Sequence, residues 1–252
     1  MSGHSKWASI KHRKAATDAK RGQLFTKLAR AITVAAREGG GDPEANFTLA
    51  AAIEKARGFS MPKDNIERAI QRGTGEGDSG TRIERVVYEG YGPAGVAVLV
   101  EALTDNRNRT GSEIRHAFDK HGGSLGEPGS VAWQFEKRGV VLVDGSQYDE
   151  DDVLGAIDAG ADDVADDGDV LKITSQPSSL AAVRAELEGS GVEIESAELA
   201  MEPKSVVEVA AASQARRLLS LIDALDDHDD VDAVNANFEI PAELLEQVEA
   251  AA

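Results

Sequence analysis

Leu24, Leu28, Ala31, Ile32 and Ala35 recur at intervals of three and four residues. That 3.6-residue period predicts an amphipathic helix from Lys20 to Arg37. At about 100° per residue, Lys20, Lys27, Arg30 and Arg37 fall on the opposite face. Gly39-Gly40-Gly41 ends the helix. Asp42 as N-cap and Pro43 at the first helical position predict a second helix running to Arg57. After a break at Gly58-Phe59-Ser60-Met61, Pro62 opens a third helix that buries Ile66, Ala69 and Ile70 and stops at Gly73. The Gly-rich stretch 73–81 reads as a linker.

Beyond the linker the period changes from 3.6 to 2. RIERVVYEGY and GVAVLVEALT predict two strands around a Gly-Pro-Ala-Gly turn. TDNRNRT leads into a helix that ends at Gly122-Gly123, and SVAWQFE predicts a further short strand. Residues 139–202 then give strand (VVLVD), helix (DEDDVLGAIDAG), two strands (ADDVADD, DVLKITSQ), helix (PSSLAAVRAELEGSG) and strand (VEIESAELAM). This β-α-β-β-α-β order is the ferredoxin-like unit. SVVEVA, ASQARRLLSLIDALDD and VDAVNANFEI follow as strand, helix and strand. They are too few for a layer of their own, so they are expected to complete the hairpin-helix-strand of 82–135. The predicted fold class is α+β. An N-terminal three-helix domain (1–80) precedes a discontinuous α+β domain (81–137 plus 204–252), into which a ferredoxin-like domain (138–203) is inserted.

Charge divides the chain more sharply than fold class does. The net charge of −18 hides a basic end: residues 1–73 hold 14 Lys and Arg against 7 Asp and Glu, and the rest holds 13 against 38. Residues 1–37 alone carry nine basic groups and one acidic group. Segregation of this kind predicts a polyanion-binding end. The acidic domains suit solubility, a cleft wall or a basic protein surface. There is no cysteine, which excludes disulfides, thiol nucleophiles and Cys-ligated zinc and is compatible with a reducing compartment. No apolar run has the length of a membrane span, and the N-terminus lacks a secretory h-region. A cytoplasmic protein without a membrane partner is expected.

GHSKWASIKHRKAATDAKRGQLFTKLAR (3–30), MPKDNIERAI (61–70), YEGYGPAGVAVLVEALTDNRNRT (88–110) and GGSLGEPGSVAWQF (122–135) resemble the YebC/PmpR family, and the similarity runs over nearly the whole chain. Phe47 stands where that family usually has proline. The resemblance implies three domains, no cofactor, no catalysis and no small-molecule substrate. It also implies a DNA-binding transcriptional regulator. Members of the family, including the mitochondrial translational activator of cytochrome oxidase, are also described as acting on the ribosome, so the alternative is a translation factor that binds the ribosome and its rRNA and assists elongation on difficult messages, for example proline-rich ones.

The candidate nucleic-acid residues follow from charge and resemblance together. Lys6, Lys11, Arg13 and Lys14 offer phosphate contacts, with Trp7 and His12 interleaved for stacking. Lys20, Arg21, Lys27 and Arg30 extend the basic face along the first helix. Lys63, Asn65 and Arg68 would open a recognition helix if helices two and three formed a helix-turn-helix. A plain helical hairpin is the preferred reading, because any short link between two helices gives this spacing, and Asp64 and Glu67 on the same helix would also repel phosphates. In TDNRNRT, Arg107 and Arg109 can touch nucleic acid or a partner, while Asp105 or Asn106 caps the helix that follows. GEGDSG (75–80) follows a helix rather than a strand and fails the dinucleotide context. The acidic runs 149–152, 162–169 and 226–230 read as solvated helix ends and loops. A calcium loop starting at Asp163 would place Ala165 at its third position. The five histidines (His4, His12, His116, His121, His228) show no triad or zinc spacing, and no metal site is expected.

Overall fold

A computed structural model describes residues 18–75, 83–166 and 170–249. The N-terminal domain holds α1 (Asp18–Gly39), α2 (Phe47–Gly58) and α3 (Lys63–Thr74). The predicted stripe on α1 is its core face: Leu28, Ile32 and Ala35 are buried with Leu49 and Ile53 of α2 and Ile66 and Ala69 of α3. α1 is also buried elsewhere, because it packs against both partner helices and against two strands of the next domain. Residues 32–36 are buried without a break. Gly73 permits the α1–α3 approach, since a Cβ there would lie 2.4 Å from the Thr33 carbonyl oxygen.

α2 begins four residues later than the sequence predicts. Asn46, not Asp42, is its N-cap. The buried Asn46 Oδ1 accepts from the Leu49 amide at 3.1 Å, and its Nδ2 donates at 2.8 Å to the carbonyls of Ala35 and Gly40. One side chain thus closes the end of α1 and the start of α2, which outweighs the local preference of Asp42-Pro43. Asp42 organises an isolated turn instead. Position 47 becomes the first helical residue, where proline is tolerated. Phe47 is 46% exposed there.

The middle domain opens with β1 (Glu84–Tyr91), β2 (Ala97–Thr104), α4 (Arg107–Lys120) and β3 (Ser124–Leu125). The chain then enters a second sheet through β4 (Phe135–Asp144). After a 3-10 turn at Asp151–Val153 come α5 (Gly155–Asp158), β5 (Ala161–Asp166), β6 (Val170–Ser175), α6 (Leu180–Gly189) and β7 (Ile194–Pro203). It returns through β8 (Val207–Glu208), α7 (Ala212–Asp226), β9 (Val231–Ala236), β10 (Phe238–Glu239) and α8 (Ala242–Glu249).

The first sheet has the order β3-β1-β2-β9 and the second β5-β6-β4-β7, each antiparallel throughout. The second order is that of a ferredoxin-like βαββαβ unit. β2 is apolar over residues 97–100, where both faces are covered. Val96, Val98 and Val100 meet Phe118 of α4 and Leu218 and Leu221 of α7. Ala97 and Leu99 meet Val131, Phe135 and Met201.

Three predicted elements differ in extent. SVAWQFE is not a separate strand: a 3-10 turn at Ala132–Gln134 leads straight into β4, and Phe135 pairs with Pro203 in the inserted sheet. Nothing in EKRGV breaks the extended chain, so one ten-residue strand forms. The helix expected from DEDDVLGAIDAG is reduced to the 3-10 turn and the four residues of α5. SVVEVA contributes two strand residues, paired in parallel with β10.

Candidate nucleic-acid interface

The basic leader residues Lys6, Trp7, Lys11, His12, Arg13 and Lys14 lie outside the described residues. Lys20 and Arg21 stand in the first turn of α1. The face of α1 that the sequence leaves open to a polyanion is engaged within the protein. Gln23 Nε2 donates to Asp229 Oδ1 at 3.3 Å, and Lys27 Nζ donates to the Asp226 carbonyl. Arg30 Nη1 donates to the Asp229 carbonyl at 2.8 Å and to Asp230 Oδ1 at 2.7 Å. Spacings of four and three residues put all three side chains on one face, against the turn between α7 and β9. Arg37 Nη1 reaches the Ile83 carbonyl at 2.7 Å. The acidic run 226–230 is therefore not simply solvated; it is the seat of the basic helix.

Asp230 is the centre of that seat, 3% exposed. Besides Arg30, its carboxylate accepts from Thr110 Oγ1 at 2.7 Å, Thr104 Oγ1 at 3.2 Å and Arg109 Nη2 at 2.5 Å. Burial alone would raise its pKa. The Thr110 and Arg109 hydrogen bonds and the charges of Arg30 and Arg109 prevail and bring it down to about 2. The Leu103 amide donates to the Asp230 carbonyl, and the Asp230 amide donates to His228 Nδ1. His228 Nε2 faces Glu113 Oε2 at 2.8 Å. Arg109 also holds Asp105 at 3.1 Å, so this candidate joins TDNRNRT to the α7–β9 turn. Asn106 is the cap of α4, accepting from the Arg109 amide. Arg107 lies 3.4 Å from Glu84 and is exposed.

On α3 the three candidates are all at the surface or close to it, but none is open in all directions. Lys63 faces Glu67 at 3.5 Å. Arg68 Nη2 donates to Asn65 Oδ1, and its Nε donates to the Asp64 carbonyl at 3.1 Å. α3 and α2 each pack on α1. Among the described residues, no group of three His, Asp or Glu side chains converges as metal ligands would. Asp162, in one acidic run, is held by Arg138 at 2.6 Å and Gln176 at 3.1 Å. Among the described residues no helix is long and apolar enough to cross a membrane.

Two features escaped the sequence reading. The first is the loop Gly126–Gln134, built on Glu89. Its buried carboxylate accepts at 2.7 Å from each of the Gly129, Val131 and Ala132 amides. Burial pushes the Glu89 pKa up, but the three amides together hold it below the usual carboxylate value. The loop presents Trp133, 66% exposed, with its indole Nε1 donating to the Ser130 carbonyl at 3.1 Å. A lone Glu in a strand gives no sign of such a role. Glu89→Ala strands three amides and is expected to cost about 3 kcal/mol. Urea unfolding measures that loss. Fluorescence anisotropy of Trp133 in a Trp7→Phe background should fall as the loop loosens. The second feature is the pair Arg216-Arg217, whose presence in an acidic stretch was a legible signal.

The whole chain has close relatives. Two family models match it, described as the TACO1/YebC protein N-terminal domain over residues 5–76 and the TACO1/YebC second and third domain over residues 83–238. A "probable transcriptional regulatory protein" of Rubrobacter xylanophilus is 57% identical over 249 residues, covering 98% of this chain and 99% of its own length. One of the same description from Halothermothrix orenii is 54% identical over 251 residues, with 98% and 99% covered. The crystal structure of a conserved hypothetical protein from Aquifex aeolicus superposes with a TM-score of 0.86 at 48% identity, covering 95% of this chain and 99% of the other.

Proposed function

The chain belongs to the TACO1/YebC family, and on that premise we propose that it is a non-catalytic regulator of gene expression that binds nucleic acid with the basic segment at and ahead of the start of α1. The observation that carries this reading is the charge division: nine basic groups against one acidic group in residues 1–37 of a chain with a net charge of −18. Lys27 and Arg30 are committed to the 226–230 turn. Phosphate contacts are therefore assigned to Lys6, Lys11, Arg13, Lys14, Lys20 and Arg21, with Trp7 and His12 against bases or sugars. DNA is the first partner, since the relatives are named as transcriptional regulators. The protein works where nucleic acid is, in the cytoplasm.

One observation favours ribosomal RNA as a second reading. The two base-reading candidates on α3, Asn65 and Arg68, bond to each other, and Asp64 and Glu67 stand beside them. Phosphate and shape recognition needs no such pair. Co-sedimentation with ribosomes across a salt series, beside binding to a library of DNA duplexes, separates the two. A reproducible duplex motif without ribosome association establishes the DNA reading. Salt-sensitive ribosome association with flat, weak duplex binding establishes the other. Asn65→Ala with Arg68→Ala is expected to relax duplex sequence preference only under the DNA reading, and an unaltered preference removes α3 from base recognition.

A further inference from the structure

The inserted domain holds most of the chain's excess negative charge. Residues 138–203 carry 17 Asp and Glu against three Lys and Arg, a net charge of −14. A domain of that charge repels any polyanion nearby. The fold sets it against α2 of the basic helical domain. Lys55 Nζ lies 2.7 Å from Glu198 Oε2 on β7. The neighbouring Glu54 pairs with Arg184 of α6, which also holds Glu188 at 2.7 Å. β7 is an edge strand of the second sheet. Ala197 and Leu199 face the core under α6, so Glu198 between them faces the other way. Consecutive residues of α2 thus hold the inserted domain at its edge, one toward the α6 layer and one on the opposite face.

No apolar core backs this contact. Among the described residues, the buried clusters of the inserted domain contain no residue of the helical domain, and the cluster of the helical domain contains none of the inserted domain. The four paired side chains are between 29% and 55% exposed. Ion pairs so exposed contribute little, and salt screens them. The attachment to the middle domain differs in kind. Two chain crossings run side by side there: Phe135 pairs with Pro203, and the Lys204 amide donates to the Gln134 carbonyl at 2.8 Å. Phe135 and Met201 pack with Ala97, Leu99 and Val131 beside them. A covalent, apolar joint on one side and a solvated ionic contact on the other make a hinge and a latch. We propose that Glu54 and Lys55 form an ionic latch, that the acidic domain swings from α2 about the 134–135 and 203–204 crossings when it opens, and that a polyanion on the basic segment favours the open state. The last step rests on the proposed function. Repulsion between a polyanion and a domain of net charge −14 falls as they separate, so the polyanion binds the open state better and shifts the population toward it.

The chain has no cysteine, so Thr48→Cys on α2 and Ala185→Cys on α6, both exposed, can carry a donor and an acceptor dye. Single-molecule energy transfer on the full chain then reads the latch. A low-transfer population should grow about threefold or more between 0.05 M and 1 M salt. Lys55→Glu sets a carboxylate against Glu198 and should open the latch at 0.05 M. Adding Glu198→Lys should close it again, a rescue that a loss of packing would not allow. Circular dichroism melts verify that each variant folds. A second dye pair, on Thr48→Cys and the exposed Ser112→Cys of α4, should keep its transfer throughout, because the helical domain stays on its seat. A 20-base-pair duplex at 0.05 M salt should open the wild type. Lys11→Ala, Arg13→Ala and Lys14→Ala together should abolish that response and spare the response to salt. One transfer value at every salt concentration, or opening that Glu198→Lys does not reverse, would overturn the latch. A change in the second dye pair would overturn the hinge, since the whole helical domain would then have moved. A duplex that binds without altering transfer would overturn the coupling and leave the proposed function standing. A duplex that does not bind overturns the DNA reading of that function and this coupling with it.

Discussion

Replacing Asp230 with alanine is expected to destabilise the protein by about 3 kcal/mol, because it leaves two guanidinium groups and two threonine hydroxyls without their shared acceptor. Arg30 and Arg109 are 26% and 44% exposed, so water recovers part of their solvation and the loss sits at the low end for a broken buried pair. The effect carries a pH signature. The folded carboxylate has a pKa of about 2 against an ordinary 3.8. Its contribution is therefore fully present above the unfolded value and is lost as pH falls through the folded one. That pH-dependent part amounts to about 2 kcal/mol. Urea unfolding of wild type and Asp230→Asn at pH 7 and then stepwise from pH 4 to pH 2 measures it. The gap between the two proteins should narrow over the lower range. A gap that stays constant to pH 2 would show that Asp230 is not ionised against these partners.

Neutralising Lys11, Arg13 and Lys14 together should weaken duplex binding on the order of 100-fold at 0.1 M salt and reduce the salt slope by about 2.7, at roughly 0.9 per phosphate contact. The control is Lys27→Ala with Arg30→Ala. On the helix these are the same residue types, but they are seated on Asp226, Asp229 and Asp230. They should lower the midpoint of thermal unfolding and leave the salt slope nearly unchanged. If the leader variant binds as tightly as wild type at every salt concentration, the N-terminal surface is not where nucleic acid sits. If the control pair alone flattens the slope, α1 leaves its seat to bind.

Much of the architecture was legible because local periodicity and turn chemistry agree with the fold. The 3.6-residue stripe on α1 is its core face, and the β-α-β-β-α-β order gives the inserted sheet. At two of the misplaced boundaries, hydrogen bonds that reach beyond a short window overrode a good local signal. Asn46 moved the start of α2 by reaching back to Ala35 and Gly40. The pairing of residues 135–143 with β7, shifted once between Leu142 and Val143, absorbed what looked like two strands. Long-range bonds of this kind leave no trace in a short window of sequence.

The charge division needs no folded structure, because it is a count of residues along the chain. The sequence by itself therefore determined that one end of this protein is cationic and that an acidic α+β body follows it. Which cations remain available is a matter of distance, and only the tertiary structure decided it. Coulombic attraction between α1 and the DDHDD turn, nearly two hundred residues away, turns Lys27 and Arg30 into structural links. The same folding brings Lys120, Arg216 and Arg217 together on two neighbouring helices beside Asp119, where none of the three forms an ion pair among the described residues. Pairing energy falls with separation in space, and only the fold sets that separation.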